Sequence, residues 1–272
     1  MNTSSDSSET PFDFDVSRWG SLPGLCGLFV TGTDTGVGKT LIAGAIARHL
    51  RKAGRVVDVF KPAASGCRTD RGRLVSPDAE FLAACGDSAR TLAEITPVTY
   101  AQPVAPNVAA DREGRAVDLE AIFAAYRNLA DSAADAVIVE GIGGLLCPIS
   151  DDFWVIHLAR MMALPVVIVA RAGLGTINHT LLTLQAARCA GLRVAGVVIN
   201  RYQVDPEGDP AVATNPAQIA QRGRTAVLAL VPDDPRTSVQ EARIGKDVQF
   251  AIQQVDWEQI MRSAGPGRSE RA

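Results

Sequence analysis

Nothing else in the 272-residue chain narrows the possible folds as much as Gly32–Thr40, which reads G-T-D-T-G-V-G-K-T. A short apolar run, Leu25–Val30, leads into it, and a helical pattern, Leu41–Leu50, comes after it. Strand, glycine-rich turn and helix in that order point backbone N–H groups and a helix N-terminus at a phosphate. Lys39 would reach the outer phosphates, and the Thr40 hydroxyl is placed to ligate Mg²⁺. The usual pattern sets four residues between its two glycines. Here Thr33 stands where the first glycine belongs, and Gly32 lies one residue early. Gly36, Gly38, Lys39 and Thr40 still mark a nucleotide site. The bland alternative is a glycine-rich turn with a solvated lysine.

The rest of the chain repeats the same alternation. Apolar, largely β-branched runs at Leu25–Val30, Val56–Phe60, Ala136–Val139, Pro165–Ala170, Val194–Ile199 and Ala226–Val231 predict strands. Being mostly continuous rather than alternating, they suit a parallel sheet covered on both faces. Helical patterns near Leu41–Ala53, Asp78–Cys85, Asp118–Ala133, Ile156–Ala163, Ile177–Ala190 and Pro216–Arg222 fall between or after them. The expectation is an α/β fold: one P-loop NTPase-like domain with a doubly wound, mostly parallel sheet. It spans residues 22–262, between a disordered, serine- and acid-rich extension (residues 1–21) and a frayed tail (263–272). Arg68–Arg115, with Pro77, Pro97, Pro103 and Pro106, is expected to cross one end of the sheet as long loops around a helix. Residues 201–215 read as an exposed loop, and Asp247–Arg262 as one amphipathic helix that packs Phe250, Ile252, Val255 and Ile260 on the core.

Charge and cysteine usage remove several function classes. A net charge of −3, outweighed by the N-terminal acids Asp6, Glu9, Asp13 and Asp15, leaves a near-neutral body with no nucleic-acid-binding surface. The five cysteines are scattered without metal-ligand spacing, which argues for a reducing compartment rather than a disulfide or zinc scaffold. No secretory signal is evident, and no apolar run nears the ~20 residues needed to span a bilayer. A cytoplasmic protein without membrane contact is the expectation.

Ligands of open α/β sheets bind at the carboxyl ends of the strands, so the residues just after each predicted strand are informative. The first strand leads into the phosphate loop, the second into Lys61-Pro62-Ala63-Ala64-Ser65-Gly66, and the third into Glu140-Gly141-Ile142-Gly143-Gly144. The fourth leads through Arg171–Gly175 to Thr176 and Asn178 at a helix start; the fifth ends in Asn200 and the last in Val231-Pro232-Asp233. One shared site is the simplest explanation. Lys61 reads either as a solvated lysine or as a second cation for a transferring phosphoryl group. Glu140 reads as a turn glutamate or as a Mg²⁺ ligand beside Thr40. Asp78, after Ser76-Pro77, reads from spacing alone as an acid favoured by a helix N-terminus. His49, His157 and His179 lack metal-ligand spacing, and Cys147 has no paired base.

With these residues in place, the chain resembles the dethiobiotin synthetase family of the biotin pathway. The resemblance rests on F-V-T-G-T-D-T-G-V-G-K-T (Phe29–Thr40), K-P-A-A-S-G (Lys61–Gly66), P-D-A (Pro77–Ala79) and V-E-G-I-G-G-L-L (Val139–Leu146). G-L-G-T-I-N-H-T (Gly173–Thr180), V-I-N (Val198–Asn200) and Val231-Pro232 complete it, in the family's order, over roughly residues 25 to 235. The Thr33 spacing is similar to the family's own loop. The resemblance implies conversion of 7,8-diaminononanoate, CO₂ and MgATP to dethiobiotin, ADP and phosphate by phosphorylation of a carbamate and closure of a cyclic urea. It implies that Lys39 and Lys61 are catalytic, and that Thr40, Asp78 and Glu140 hold Mg²⁺. ATP would be bound by Gly36, Val37, Gly38, Lys39, Thr40, Asp78, Glu140, Gly141, Ile142, Gly143, Asn200, Val231, Pro232 and Asp233. Thr35, Ser65, Gly175, Thr176 and Asn178 would contact the diamine, its carbamate or its carboxylate tail, and the family is homodimeric.

This chain departs from some members at three places: Gly36 replaces an acidic residue, Arg201 comes after Asn200 where an aspartate can stand, and residues 203–222 contain no tyrosine. Two other readings share the fold. A partition or septum-positioning assembly ATPase of the ParA/MinD kind carries a lysine early in its phosphate loop, where this chain has Asp34. An ATP-dependent amidase acting on a corrin acid needs a glutaminase domain, for which there is no room after residue 235.

Overall fold

The computed structural model describes residues 14–203 and 209–262. In chain order the strands are β1 (Gly27–Gly32), β2 (Val57–Phe60), β3 (Ala63–Ala64), β4 (Arg68–Asp70), β5 (Arg73–Val75), β6 (Val98–Thr99), β7 (Ala136–Glu140), β8 (Val166–Arg171), β9 (Val194–Asn200) and β10 (Val227–Val231). The helices are α1 (Lys39–Lys52), α2 (Pro77–Gly86), α3 (Leu92–Ile95), α4 (Pro106–Glu113), α5 (Leu119–Arg127), α6 (Val155–Met162), α7 (Thr176–Cys189), α8 (Pro210–Gly223), α9 (Lys246–Gln253) and α10 (Trp257–Arg262). All six predicted strands form one parallel sheet in the order β10-β9-β8-β1-β7-β2, the central layer of a single α/β domain.

The continuous apolar runs are explained by burial on both sides. In β1, Leu28 and Val30 face a core layer with Ile42, Ile46, Phe81 and Ile252, whereas Phe29 faces the opposite layer with Val139, Ile156 and Ile168. Alternate residues of a strand point to opposite faces, so a strand between two helical layers needs apolar residues at every position. The register then sets the site. Val30 lies opposite Glu140, and Phe60 opposite Val139, so the ends of β1, β7 and β2 release their next residues at one edge.

Local chemistry accounts for the helix starts. The Ser76 side chain accepts from the Ala79 N–H at 3.2 Å, with Pro77 at the first position, which begins α2 and puts Asp78 in its first turn. Thr91 and Glu94 form a reciprocal capping box on α3.

The structure corrects several expectations. Residues 14–21, expected within a disordered extension, lie on the body: Trp19 meets Phe153 edge-on with ring centroids 4.7 Å apart, and Arg18 pairs with Asp152 at 3.1 Å. Residues 1–13, the 263–272 tail and 204–208 of the expected loop lie outside the described residues. The segment 68–115 holds more order than one helix, with the antiparallel β4–β5 hairpin and the short helices α3 and α4 beside α2. The helix expected over Asp118–Ala133 stops at Arg127.

Helix α8 starts at Pro210, inside the expected loop, because the Asp209 carboxylate accepts from the Ala211 N–H at 2.9 Å. Pro216 is therefore mid-helix rather than a start. The expected C-terminal helix is two, α9 and α10, since Asp256 caps a new start through the Gln259 N–H at 2.8 Å. Phe250 is 62% exposed, whereas Ile252, Val255 and Ile260 pack as expected, joined by Val248, Trp257 and Met261. Among the described residues, no helix is long and apolar enough to cross a membrane.

Candidate active site

The loop after β1 folds back across its own strand, and this accounts for the early glycine. A Cβ on Gly32 would lie 2.8 Å from Val37 Cγ2 and 2.9 Å from the Asp34 carbonyl, while Thr33 still donates its N–H to Val169 at 2.9 Å. The loop turns immediately on leaving the sheet, so the residue without a side chain is needed at the last strand position. Gly36 (φ 75°) and Gly38 (φ 97°) then take left-handed conformations that bring the chain to the N-terminus of α1. A Cβ on Gly38 would meet Asn200 Nδ2 at 2.0 Å, so this glycine also makes room for the end of β9.

Four charged side chains gather where β1, β7 and β2 end. Lys39 Nζ donates to the Asp34 carbonyl at 2.9 Å, curled toward its own loop. Thr40 Oγ1 donates to Glu140 Oε1 at 2.8 Å. Lys61 Nζ lies 2.9 Å from Glu140 Oε1 and 2.9 Å from Asp78 Oδ2. Glu140 is 1% exposed, and its second oxygen, Oε2, is buried without a hydrogen-bond partner. Burial pulls the Lys61 ammonium toward a lower pKa, but the carboxylates of Glu140 and Asp78 outweigh it and hold Lys61 above the usual lysine value. For Asp78, burial is likewise outweighed by Lys61, which keeps the carboxyl below its usual range. Lys39 goes the other way: burial lowers its pKa despite the nearby Glu140 charge.

These residues line a cavity of about 540 Å³. Thr35, Gly36, Gly38, Lys39, Thr40, Lys61, Ser65, Asp78, Glu140, Ile142, Gly143, Asn200, Pro232 and Asp233 all reach it, so the strand-end reading converges on one place. Val37, Gly141 and Val231 do not line it. The Val37 carbonyl instead accepts from Asn200 Nδ2 at 2.9 Å, the Gly141 N–H is spent on Val30, and the Val231 carbonyl accepts from Tyr202. With its amide nitrogen committed to Val37, Asn200 presents Oδ1, which is buried without a partner, as an acceptor.

Gly175, Thr176 and Asn178 also lie off this cavity: Gly175 caps α7 in a left-handed conformation (φ 90°), Asn178 is exposed, and Thr176 is buried. A neighbouring cavity of about 340 Å³ shares Thr35 and Gly143 with the first and is walled by Leu145, Leu146, Cys147 and Leu182. The sequence reading missed Arg201 and the 234–240 segment, which closes the far end with Asp234, Thr237, Ser238, Val239 and Gln240. The signal available was the consecutive Asp233-Asp234-Pro235 after β10. Asp234 anchors the segment, taking Arg236 Nε at 2.9 Å and the Asp247 N–H at the start of α9 at 3.2 Å.

Thr40, Asp78 and Glu140 form a hard-oxygen set suited to Mg²⁺, and the unpartnered Glu140 Oε2 fits a cation ligand. Among the described residues, no group of three or more His, Cys, Asp or Glu could hold a metal by itself. That suits an ion held by one or two carboxylates and completed by substrate phosphates.

A family model described as an AAA domain matches residues 26–241. An ATP-dependent dethiobiotin synthetase BioD from Anaeromyxobacter sp. (strain K) is 45% identical over 227 residues, covering 84% of this chain and 99% of that protein. A protein of the same name from Bacillus licheniformis is 41% identical over 206 residues, covering 76% and 85%. The solved structure of the cell division ATPase MinD from Pyrococcus furiosus has a TM-score of 0.51 at 16% identity, covering 89% of this chain and all of that one. That last likeness shows a shared fold and nothing of activity.

Proposed function

The chain belongs to the ATP-dependent dethiobiotin synthetase family, and we propose that the cavity at the strand ends runs that family's reaction with the residues it brings together. The protein is a nucleotide-binding ligase of biotin biosynthesis that closes a ureido ring. The observation that carries the assignment of roles is the pair of buried lysines, Lys39 and Lys61, on one wall with Asp78 and Glu140.

In this reading one amine of the diamine takes up CO₂ as a carbamate. A carbamate oxygen attacks the γ-phosphorus, ADP leaves, and the second amine attacks the carbonyl carbon, closing the urea and releasing phosphate. Two anions must meet in the phosphorylation step, so cations fixed where charge develops lower its barrier. Lys39 and the loop N–H groups hold the β and γ phosphates; Lys61 neutralises the carbamate. Thr40, Asp78 and Glu140 would hold Mg²⁺, which would supply charge neutralisation on the phosphate oxygens. Thr35 and Ser65 position the reacting diamine. Asn200 Oδ1 accepts from the exocyclic amine of adenine, with the backbone at Pro232 and Asp233 beside it.

The substrate's aliphatic chain is assigned to the adjoining apolar cavity, whose walls of Leu145, Leu146 and Leu182 suit methylenes. Its carboxylate is assigned to the α7 N-terminus around Gly175–Asn178, a favourable end for an anion. Leu146 and Leu182, which wall the apolar cavity together, are 40% and 62% exposed, an apolar face that a homodimer would cover. A cytoplasmic enzyme completes the proposal.

Incubation with 7,8-diaminononanoate, bicarbonate and MgATP, with mass analysis of the products, should yield dethiobiotin with one ADP per ring. Phosphate release without the cyclic urea would overturn the reading in favour of an assembly ATPase. Lys39→Ala and Lys61→Ala should each lower kcat by about 100- to 1000-fold, as for loss of a charge-stabilising donor.

A further inference from the structure

Lys61 makes two contacts that a substrate-binding lysine has no need of. Its Nζ lies 2.9 Å from Asp78 Oδ2 and 2.9 Å from Glu140 Oε1. These are the two carboxylates assigned to the metal, and Glu140 Oε1 also takes the Thr40 hydroxyl at 2.8 Å, the third member of that set. The ammonium therefore occupies one oxygen of each of the two carboxylates that a divalent cation would use. Lys61 is 3% exposed, so this arrangement is built in and is not a surface contact of a wandering side chain.

We propose that the Lys61 ammonium is a resident competitor for the divalent-cation position, so that metal binding displaces it and delivers it to the carbamate. The proposal rests on the metal assignment made above and adds an order to it. A dication and an ammonium sharing the same two carboxylates repel each other, and the carboxylates are too few to neutralise both. The lysine must then swing away. Ser65 and Thr35, the residues assigned to the reacting diamine, line the same cavity as Lys61, so the displaced charge stays in the cavity that takes the carbamate. Lys39 differs in the respect that matters. It carries the same charge into the same cavity but bonds a backbone carbonyl, Asp34 O, rather than the metal's carboxylates.

The consequence is a gate on the order of events. While Lys61 remains on Asp78 and Glu140, the carbamate lacks its cation; once the metal arrives, both are in place together. A charge that also neutralises the buried Glu140 and its part-exposed neighbour Asp78 lets the pair exist without metal, where two uncompensated acids so close would be costly.

The experiment is Mn²⁺ binding, with no nucleotide or diamine, monitored by loss of the free aquo-ion paramagnetic resonance signal. It compares wild type, Lys61→Met, Lys39→Met and Lys61→Gln, each first checked for cooperative thermal melting. Removing a nearby positive charge tightens cation binding at either lysine, so Lys39→Met measures that general effect. The expected result is that Lys61→Met and Lys61→Gln each bind Mn²⁺ at least tenfold more tightly than Lys39→Met does. Equal tightening at the two positions, or weaker binding in the Lys61 variants, overturns the competition. Binding that survives in the double variant Asp78→Asn/Glu140→Gln overturns the metal assignment itself, a separate failure.

A second measurement follows the lysine itself. In ¹⁵N-lysine-labelled protein the Lys61 ammonium resonance, identified as the one missing from Lys61→Gln, should shift when Mg²⁺ is added without nucleotide. A resonance that stays in place while the metal binds overturns the displacement.

Discussion

At the phosphate end of the cavity, Lys39, Lys61 and Glu140 come after or end three adjacent strands, β1, β2 and β7, and are 6%, 3% and 1% exposed. At the base end, Asn200 closes β9, but the opposite wall is the irregular segment 232–240, pinned by the single buried carboxylate of Asp234. The first wall is positioned by sheet register, which cannot slip without turning every alternating side chain to the wrong core layer. The second is positioned by a few hydrogen bonds. Under the proposed roles the difference teaches where precision is needed: the chemistry would occur at the end set by register, and the other end would set affinity.

That contrast is open to attack at both ends. The largest effect is expected from Glu140→Ala, which leaves the buried Lys61 with only the part-exposed Asp78: about 3 kcal/mol of stability should be lost, read as a lowered denaturant midpoint, with activity lost as well. A variant that melts as the wild type does would show that the phosphate end tolerates an unpaired charge. Gly38→Ala is next. Its φ of 97° and the 2.0 Å approach of Asn200 predict a cost of about 2 kcal/mol and weakened nucleotide binding by calorimetry.

Asn200→Ala, at the base end, should raise the KM for ATP about tenfold, the loss of roughly one hydrogen bond, with kcat nearly unchanged. An equal fall in kcat would erase the distinction between the two ends.

The smallest effect is expected at Asp234, where the Arg236 side chain holds the carboxyl down to about 2 from its ordinary 3.8. A depressed acid stabilises the fold above its unfolded pKa and loses that contribution as pH falls through the folded one. The melting temperature of wild type should therefore exceed that of Asp234→Asn at pH 6. The gap should close between about pH 4 and pH 2. A gap independent of pH would mean that the segment is held by shape rather than by this ion pair.

The same contrast explains which residues were legible in the sequence. Lys39 was legible from the glycine-rich loop before it, and Lys61, Glu140 and Asn200 because each lies at the end of a continuous apolar run, and strand ends of a parallel sheet converge. Asp78 was legible only through the family resemblance, since an acid after Ser76-Pro77 is what any helix start favours. Thr237, Ser238 and Gln240 carried no signal. Their segment lacks periodicity, and its place depends on Asp234 meeting the start of α9, thirteen residues later. The break between α9 and α10 was missed because the apolar spacing runs on through it, and only the Asp256 cap reveals the new start.

By itself, the amino-acid order determined the parallel α/β sheet, the phosphate loop and the strand ends that supply the charged groups. Hydrophobic period and glycine placement are local, and they constrain the backbone wherever they occur. Tertiary structure alone decided three things. It showed that the early Gly32 is needed because the loop brings Val37 and the Asp34 carbonyl back against it. It put Asn200 Nδ2 on the Val37 carbonyl, leaving Oδ1 buried without a partner. And it set Lys61 on both carboxylates of the proposed metal site. These contacts join residues that are distant in the chain or turned back on themselves, and their geometry comes from strand register and packing, which no local pattern encodes.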